Sequence, residues 1–323
     1  MQSQADKIYD VVIIGGGPAG FTAGLYAARA SLQALVIEGA TTLSQITMTD
    51  LVENYPGMPE GIDGFTLVQR FRNQAEKFGL EIKQADVTAL VKEERGGKEI
   101  WKVAAGDTDY AALSVIVATG ANWRRIGVPG EDRFAGKGVS YCATCDGPFY
   151  RNKEVVVIGA GDTAIQEALF LSHLVRKVTI VHRRNRLRAT KCLQDRALAD
   201  RKIHFILESV VEEITGEDFV QGVKIKNLQT GEVQDLATDG VFVFIGIHPN
   251  TEILRNLVEL DKDGYILADV NMQTSAKGIY AAGDCTRKLL RQVITACGDG
   301  ATAAYAAQLY VEELKGEAYC PVS

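Results

Sequence analysis

Cys142 and Cys145 stand two residues apart in the run Ser140-Tyr141-Cys142-Ala143-Thr144-Cys145-Asp146-Gly147, followed at once by an acid. Two cysteines at this spacing at the start of a helix can close a small disulfide ring, and the helix N-terminus stabilises a thiolate once the ring opens. Asp146 adjoins the pair and is the natural group to protonate a leaving thiolate, provided burial raises its pKa; capping the helix N-terminus is its other reading. Zinc would need a second pair of ligands. The remaining cysteines, Cys192, Cys285, Cys297 and Cys320, and the four histidines show no such spacing. The lone cysteines read as small core residues, with Cys320 as the expected exposed thiol.

A dithiol needs a source of electrons, and the flanking sequence supplies two dinucleotide fingerprints. The apolar, β-branched run Ile8 to Ile14 leads into Gly15-Gly16-Gly17-Pro18-Ala19-Gly20 and then an alanine-rich helical stretch. Gly15, Gly17 and Gly20 occupy the positions needed for a tight turn, for backbone approach to a pyrophosphate and for close helix packing. The next strand ends at Glu38, whose carboxylate can accept bonds from both ribose hydroxyls, the mark of FAD or NAD.

The same unit recurs with Gly159, Gly161 and Ala164 in the three small positions. Here the second strand ends at His182-Arg183-Arg184, with Arg188 one helical turn on, and carries no acid. Three guanidinium groups suit a dianionic 2′-phosphate, so this site is expected to take NADPH while the first holds FAD. Strands are also expected at Leu113–Val117 and Val241–Ile245, with a hairpin around Arg95-Gly96-Gly97. A strand ending at Gly283-Asp284 should lead into a helix over 295–314.

Bulk properties set the context. The 323 residues suit two domains, and 46% hydrophobic residues can fill both cores. A net charge of −6 argues against nucleic acid or an anionic membrane as partner. No apolar run reaches the roughly 18 residues that span a bilayer. The polar start, Met1 to Asp10, shows no secretory or transit signal, which makes a cytoplasmic location the expectation.

Taken in order, GGGPAG, CATCDG, GAGDTA, HRRNRLR, AAGD and RQV resemble the low-molecular-weight thioredoxin reductases over essentially the whole chain. The resemblance implies an α/β fold of two Rossmann-like domains, the NADPH domain inserted into the FAD domain. The expected boundaries are 1–121 and 250–323 for the FAD domain and 122–249 for the NADPH domain with its dithiol. It also implies a homodimer, thioredoxin as the protein substrate, and rotation of the inserted domain at hinges near 122–130 and 246–251. Carried over by position, Gln45 and Asn54 approach the flavin ring and ribityl chain, Asp284 contacts the ribityl, and Arg291, Gln292 and Val293 lie beside the isoalloxazine. Cys145 is the expected flavin-proximal sulfur, although the residues alone do not assign the two roles.

The chain departs from the family pattern in places. Leu43-Ser44-Gln45-Ile46 replaces a GGQL loop, and Asp162 replaces an asparagine, bringing a negative charge to the NADPH phosphates unless it caps the helix. Pro148 and Lys137 replace an aromatic and an arginine where thioredoxin is expected to dock. Rival readings are a ferredoxin-dependent relative, a dithiol oxidase, the flavoprotein subunit of alkyl hydroperoxide reductase, and a non-catalytic flavin-binding redox module. The intact arginine cluster argues against the first two, and the early fingerprint against the third. A non-catalytic module would need neither the dithiol nor a second nucleotide site.

Overall fold

Strand β1 (Ile8–Ile14) is buried along almost its whole length, as its unbroken apolar run demands of a strand covered on both faces. The computed structural model describes residues 7–40, 44–49 and 51–317. Helix α1 (Pro18–Arg29) follows; it starts three residues before the alanine-rich stretch because Pro18 has the fixed φ, and lacks the N–H, that suit a first helical position. Next come β2 (Ala34–Glu38), α2 (Gly64–Lys77), which Asp63 caps through the Thr66 N–H, and β3 (Glu81–Gln84). A hairpin of β4 (Val87–Arg95) and β5 (Lys98–Ala105) turns at Gly96-Gly97, both with positive φ, and leads into the long strand β6 (Thr108–Val117). The crossing strand β7 (Ala121–Trp123) then carries the chain into a second unit.

That unit spans Trp123–Ile247. It holds β8 (Val139–Ser140), α3 (Ala143–Asp146), β9 (Glu154–Ile158), α4 (Asp162–Ser172), β10 (Lys177–Val181), α5 (Lys191–Ala199) and β11 (Ile203–Ile206). A meander of β12 (Ser209–Gly216), β13 (Val220–Asn227) and β14 (Val233–Ala237) follows, then β15 (Gly240–Val243). Its parallel sheet has the order β11-β10-β9-β15-β8, beside the antiparallel meander. Val155, Val157, Ile165, Leu171, Val178, Ile180 and Phe242 fill the core on the α4 side. Each such side chain contributes about 1.5–3 kcal/mol by leaving water.

The return crossing is β16 (Ile247–Pro249), which pairs with β7. The first unit, Met1–Asn122 with His248–Ser323, is completed by β17 (Ile279–Ala281) and α6 (Val293–Lys315). Its sheet runs β3-β2-β1-β6-β5-β4. The upper half of β6 pairs with β5 through Thr108–Ala112, while Val115–Val117 pairs in parallel with β17. Small residues let α1 and α6 pack closely: a Cβ on Gly300 would collide with the Ala19 carbonyl, and Ala23, Ala27, Ala303, Ala304 and Ala307 share the same core. Two sheets with parallel cores, the first extended by the antiparallel strands β5 and β4, make this the mixed α/β fold with Rossmann-like units that the resemblance implies. Among the described residues no helix is long and apolar enough to cross a membrane.

Candidate active site

The dithiol is closed: Cys142 and Cys145 form a disulfide with their Cα atoms 5.3 Å apart. Cys142 is the N-cap of α3, and its Sγ accepts the Cys145 N–H at 3.2 Å with Thr144 Oγ1 at 3.3 Å. Once the bond is reduced, that N–H stabilises negative charge on Cys142 Sγ. The Ser140 hydroxyl, buried at the end of β8, accepts the Cys142 N–H at 3.1 Å and donates to the Cys142 carbonyl at 3.2 Å. Asp146 ends α3 rather than starting it, so its reading as the cap of that helix is corrected: the cap is the cysteine sulfur itself.

Sequence reasoning missed Glu167. It lies on α4, with burial pushing its carboxyl up and the Ala143 N–H, next to Cys142, pulling it down; its buried Oε2 has no hydrogen-bond partner among the described residues. Nothing in the amphipathic pattern of α4 marks this glutamate.

In the first fingerprint, Gly15 has φ of 121° and its missing Cβ would collide with the Ala118 carbonyl, while a Cβ on Gly20 would strike the Gly15 carbonyl. Gly17 is different: only Ser44 Oγ, at 3.3 Å and 3.9 Å with its Cβ, would meet a side chain there. Packing therefore explains the first and third glycines, and close ligand approach the second. Gly17 caps α1 with no side-chain hydrogen bond, and no acid occupies the first turn, which leaves that end suited to an anion. Glu38, at the end of β2, holds Arg72 Nη1 of α2 at 2.6 Å, a partner its own neighbourhood in sequence does not reveal.

Around this turn the first unit gathers polar groups. Gln45 Nε2 and Asp284 Oδ1 are both buried without a hydrogen-bond partner among the described residues. Burial pushes the Asp284 carboxyl up, against the pull of Lys288 and Arg291. Asn54 Nδ2 donates to Gln292 Oε1 at 3.0 Å, and Gln292 caps α6 in a capping box with Thr295; Val293 is the first residue of that helix. The Arg291 guanidinium lies 4.2 Å from the Tyr265 ring centroid, its Nε 3.4 Å from the Asp284 carbonyl. A Cβ on Gly283 would come within 3.0 Å of Ala19 Cβ, which sets the Asp284 turn against the start of α1. Leu43 lies outside the described residues.

The second fingerprint repeats the geometry with one change. Gly159 has φ of 131° and abuts the Phe244 carbonyl, Ala164 is buried beside it, and nothing lies within 4 Å of a Cβ on Gly161. The Asp162 side chain does not cap α4: Gly161 is the cap residue, and Asp162 Oδ1 accepts the Thr190 N–H at 2.6 Å, ahead of α5. The N–H groups of Arg188 and Ala189 donate to the Ala160 carbonyl, at 2.8 and 3.1 Å, tying the arginine loop to the glycine turn. Arg183, Arg184 and Arg188 are exposed, whereas His182 is buried. Burial first, and then these arginines, hold the imidazole below its usual pKa.

Cys285 and Cys297 are buried, the Cys285 thiol being pushed up to about 11 by burial. Cys192 is exposed, which corrects its reading as a core residue: α5 turns Leu193 and Ala197 inward, and Cys192 falls on its other face. Cys320 lies outside the described residues.

Comparison with known proteins decides the family. The family described as pyridine nucleotide-disulphide oxidoreductase matches residues 9–300. The chain is 47% identical to the thioredoxin reductase of Listeria monocytogenes over 96% of both chains, and 46% identical to that of Peptoclostridium litorale over 97% of this chain and all of the other. The chain belongs to the thioredoxin reductase family. Among solved members, the thioredoxin reductase of Streptococcus pyogenes superposes with a TM-score of 0.90 at 45% identity, covering 96% of this chain and 100% of that one. That of Giardia duodenalis gives 0.89 at 37%, covering 95% and 99%. Membership in the thioredoxin reductases implies a flavin, a pyridine nucleotide and a redox-active disulfide.

Proposed function

We propose that the protein is a thioredoxin-disulfide reductase that draws on NADPH, keeps FAD as its resident flavin, and acts as a cytoplasmic homodimer. The Cys142–Cys145 disulfide carries the reading, standing in a unit whose own glycine turn is hydrogen-bonded to the arginine loop through Arg188 and Ala189, while the strand after the other turn ends at an acid. Residues 122–249 are then the NADPH domain, inserted between the two segments, 1–121 and 250–323, of the FAD domain.

The residues of the first unit fit FAD. Gly15, Gly17 and Gly20 leave the turn clear for the pyrophosphate, and Glu38 offers a carboxylate to the ribose in place of Arg72. The buried Asp284 Oδ1 and Gln45 Nε2 need polar partners that a ribityl chain and flavin ring provide. Asn54, Arg291, Gln292 and Val293 would border the ring. When bound, FAD supplies the relay that accepts a hydride and passes two electrons to a disulfide.

The residues of the second unit fit NADPH. Gly159, Gly161 and Ala164 seat the pyrophosphate, and Arg183, Arg184 and Arg188 grip the 2′-phosphate. His182, at the strand end where the first unit has Glu38, brings no carboxylate to compete with the phosphate. After reduction, one sulfur of the pair attacks the thioredoxin disulfide, breaking its S–S bond and forming a mixed disulfide. The second sulfur then breaks that bond, re-forming Cys142–Cys145 and releasing the thioredoxin dithiol, with Asp146 delivering a proton to the leaving sulfur.

The test is an anaerobic and then steady-state assay of the flavin-loaded protein with NADPH, NADH or reduced ferredoxin and with oxidised thioredoxin. Bleaching of the flavin band by NADPH, followed by thioredoxin reduction, is expected. NADH outperforming NADPH would sink the reading of the arginines.

A further inference from the structure

Trp123 is the first residue of the second unit, and its indole stacks on the Tyr141 ring with centroids 5.2 Å apart and planes 11° from parallel. The Tyr141 hydroxyl donates to Glu131 Oε1 at 2.8 Å. Glu131 is only 2% exposed, and its carboxylate also accepts the Ile126 N–H at 3.0 Å and the Gly127 N–H at 2.7 Å. Burial, and after it the hydrogen bond to Glu131 and that residue's charge, push the Tyr141 phenol up, so it stays a neutral donor.

This group stands on a firm base. Ile214 of β12 donates its N–H to the Pro129 carbonyl at 2.9 Å, Gly130 has φ of 90° and would collide with the Ile214 carbonyl if it carried a Cβ, and Phe134 is 1% exposed. The residue after Tyr141 is Cys142. Its main chain is gripped on one side by the Ser140 hydroxyl, through both N–H and carbonyl. Tyr141 supplies the other hold, through its ring and its hydroxyl.

A carboxylate with three hydrogen bonds in an apolar setting is a weak source of stability compared with a well-packed apolar replacement, because both charge and donors were taken from water. What it does supply is a fixed position. We infer that Trp123, Glu131 and Tyr141 form a strap that ties the first crossing segment to the main chain of Cys142, making Tyr141 a positioning residue for the dithiol steps. Tyr141 lies outside both glycine-rich fingerprints in sequence and directly precedes Cys142, so removal of its hydroxyl acts on the dithiol steps. This inference rests on the thioredoxin reductase reading above.

The test uses flavin-loaded, full-length protein. Tyr141→Phe keeps the ring and removes the hydroxyl; Trp123→Leu keeps the bond to Glu131 and removes the stack. With NADPH and oxidised thioredoxin, kcat should fall about tenfold in each variant, a fraction of the roughly 100-fold that a 1 Å misplacement can cost. In Tyr141→Phe, KM for NADPH, and the rate with ferricyanide, which takes electrons from the flavin directly, should stay within about twofold. Trp123→Phe, which retains a ring to stack, should restore most of the rate. Hydrogen exchange at residues 140–146 should quicken in Tyr141→Phe while that of residues 209–227 stays unchanged. In Tyr141→Phe, thioredoxin and ferricyanide rates falling together, or a full thioredoxin rate with unaltered exchange, would overturn the strap. A wild-type protein that bleaches with NADPH yet never reduces thioredoxin would instead overturn the function on which it rests.

Discussion

Asp284→Asn should make the flavin-free protein more stable and the flavin-bound protein weaker, two effects of opposite sign from one atom. Asp284 Oδ1 is buried without a hydrogen-bond partner among the described residues, and burial dominates the upward shift of the carboxyl. A raised folded-state pKa means that the folded chain prefers the neutral acid. Its stabilising contribution is present below the ordinary carboxylate pKa and is lost as pH rises through the folded value, so at pH 7 the ionised group is a cost. Lys288 and Arg291 offset part of that cost. An unpaired buried polar group costs about 1–3 kcal/mol and a charged one more; the amide stays polar but removes the charge, and the attraction to the two cations lost with it keeps the net gain to about 1 kcal/mol. Urea unfolding of the flavin-free variant should show its midpoint moving up at pH 7, with the difference from wild type shrinking as the pH falls through the raised folded value toward the ordinary carboxylate range. For FAD, a bond from a ribityl hydroxyl to a carboxylate is worth about 1.5–3 kcal/mol, so its loss should weaken binding by roughly 10- to 100-fold, read from quenching of flavin fluorescence. An asparagine variant that unfolds earlier than wild type at pH 7, or that binds FAD with unchanged affinity, would refute the reasoning.

Other substitutions report on the remaining parts of the site. Arg183→Ala and Arg188→Ala should each raise KM for NADPH by roughly 10- to 100-fold, the worth of one charge-assisted bond to a phosphate, with KM for NADH nearly unchanged in parallel steady-state assays. Cys145→Ser should abolish thioredoxin reduction while NADPH still bleaches the flavin under anaerobic conditions. Gly20→Ala forces a methyl group into the Gly15 carbonyl, and the purified protein should be recovered without flavin and with a melting temperature several degrees lower. Joining the two units with a crosslink should arrest NADPH-to-thioredoxin turnover; full activity in the crosslinked protein would rule out the hinge rotation.

What the sequence revealed was local. Both glycine turns, Glu38 and the arginines could be read because strand, turn and helix follow one another within some thirty residues, each with its own residue types. The cysteine pair was legible for the same reason. Partners chosen across longer stretches of chain were not: nothing near Glu38 announces Arg72, and Glu167 looks like any helical glutamate. Cys192 shows a third limit. The inward face of α5 is set by the sheet it meets, so a short helix with few apolar residues does not declare which side a cysteine takes. Asp162 was readable as a charge near the second turn, but its bond to the Thr190 N–H depends on where the chain returns ahead of α5.

The pairing of β6 with β17, and the packing of α1 on α6, also set an order of assembly during synthesis. The 123–247 unit is continuous in sequence and can close its own core as soon as it leaves the ribosome. The first 122 residues cannot: their sheet lacks β17, and α1 lacks its alanine-lined partner, until residues 279–315 have been made. Through that interval the nascent chain holds an open sheet edge at Val115–Val117 and an uncovered helix face, a demand for chaperone protection that ends only once β17 and α6 have been made.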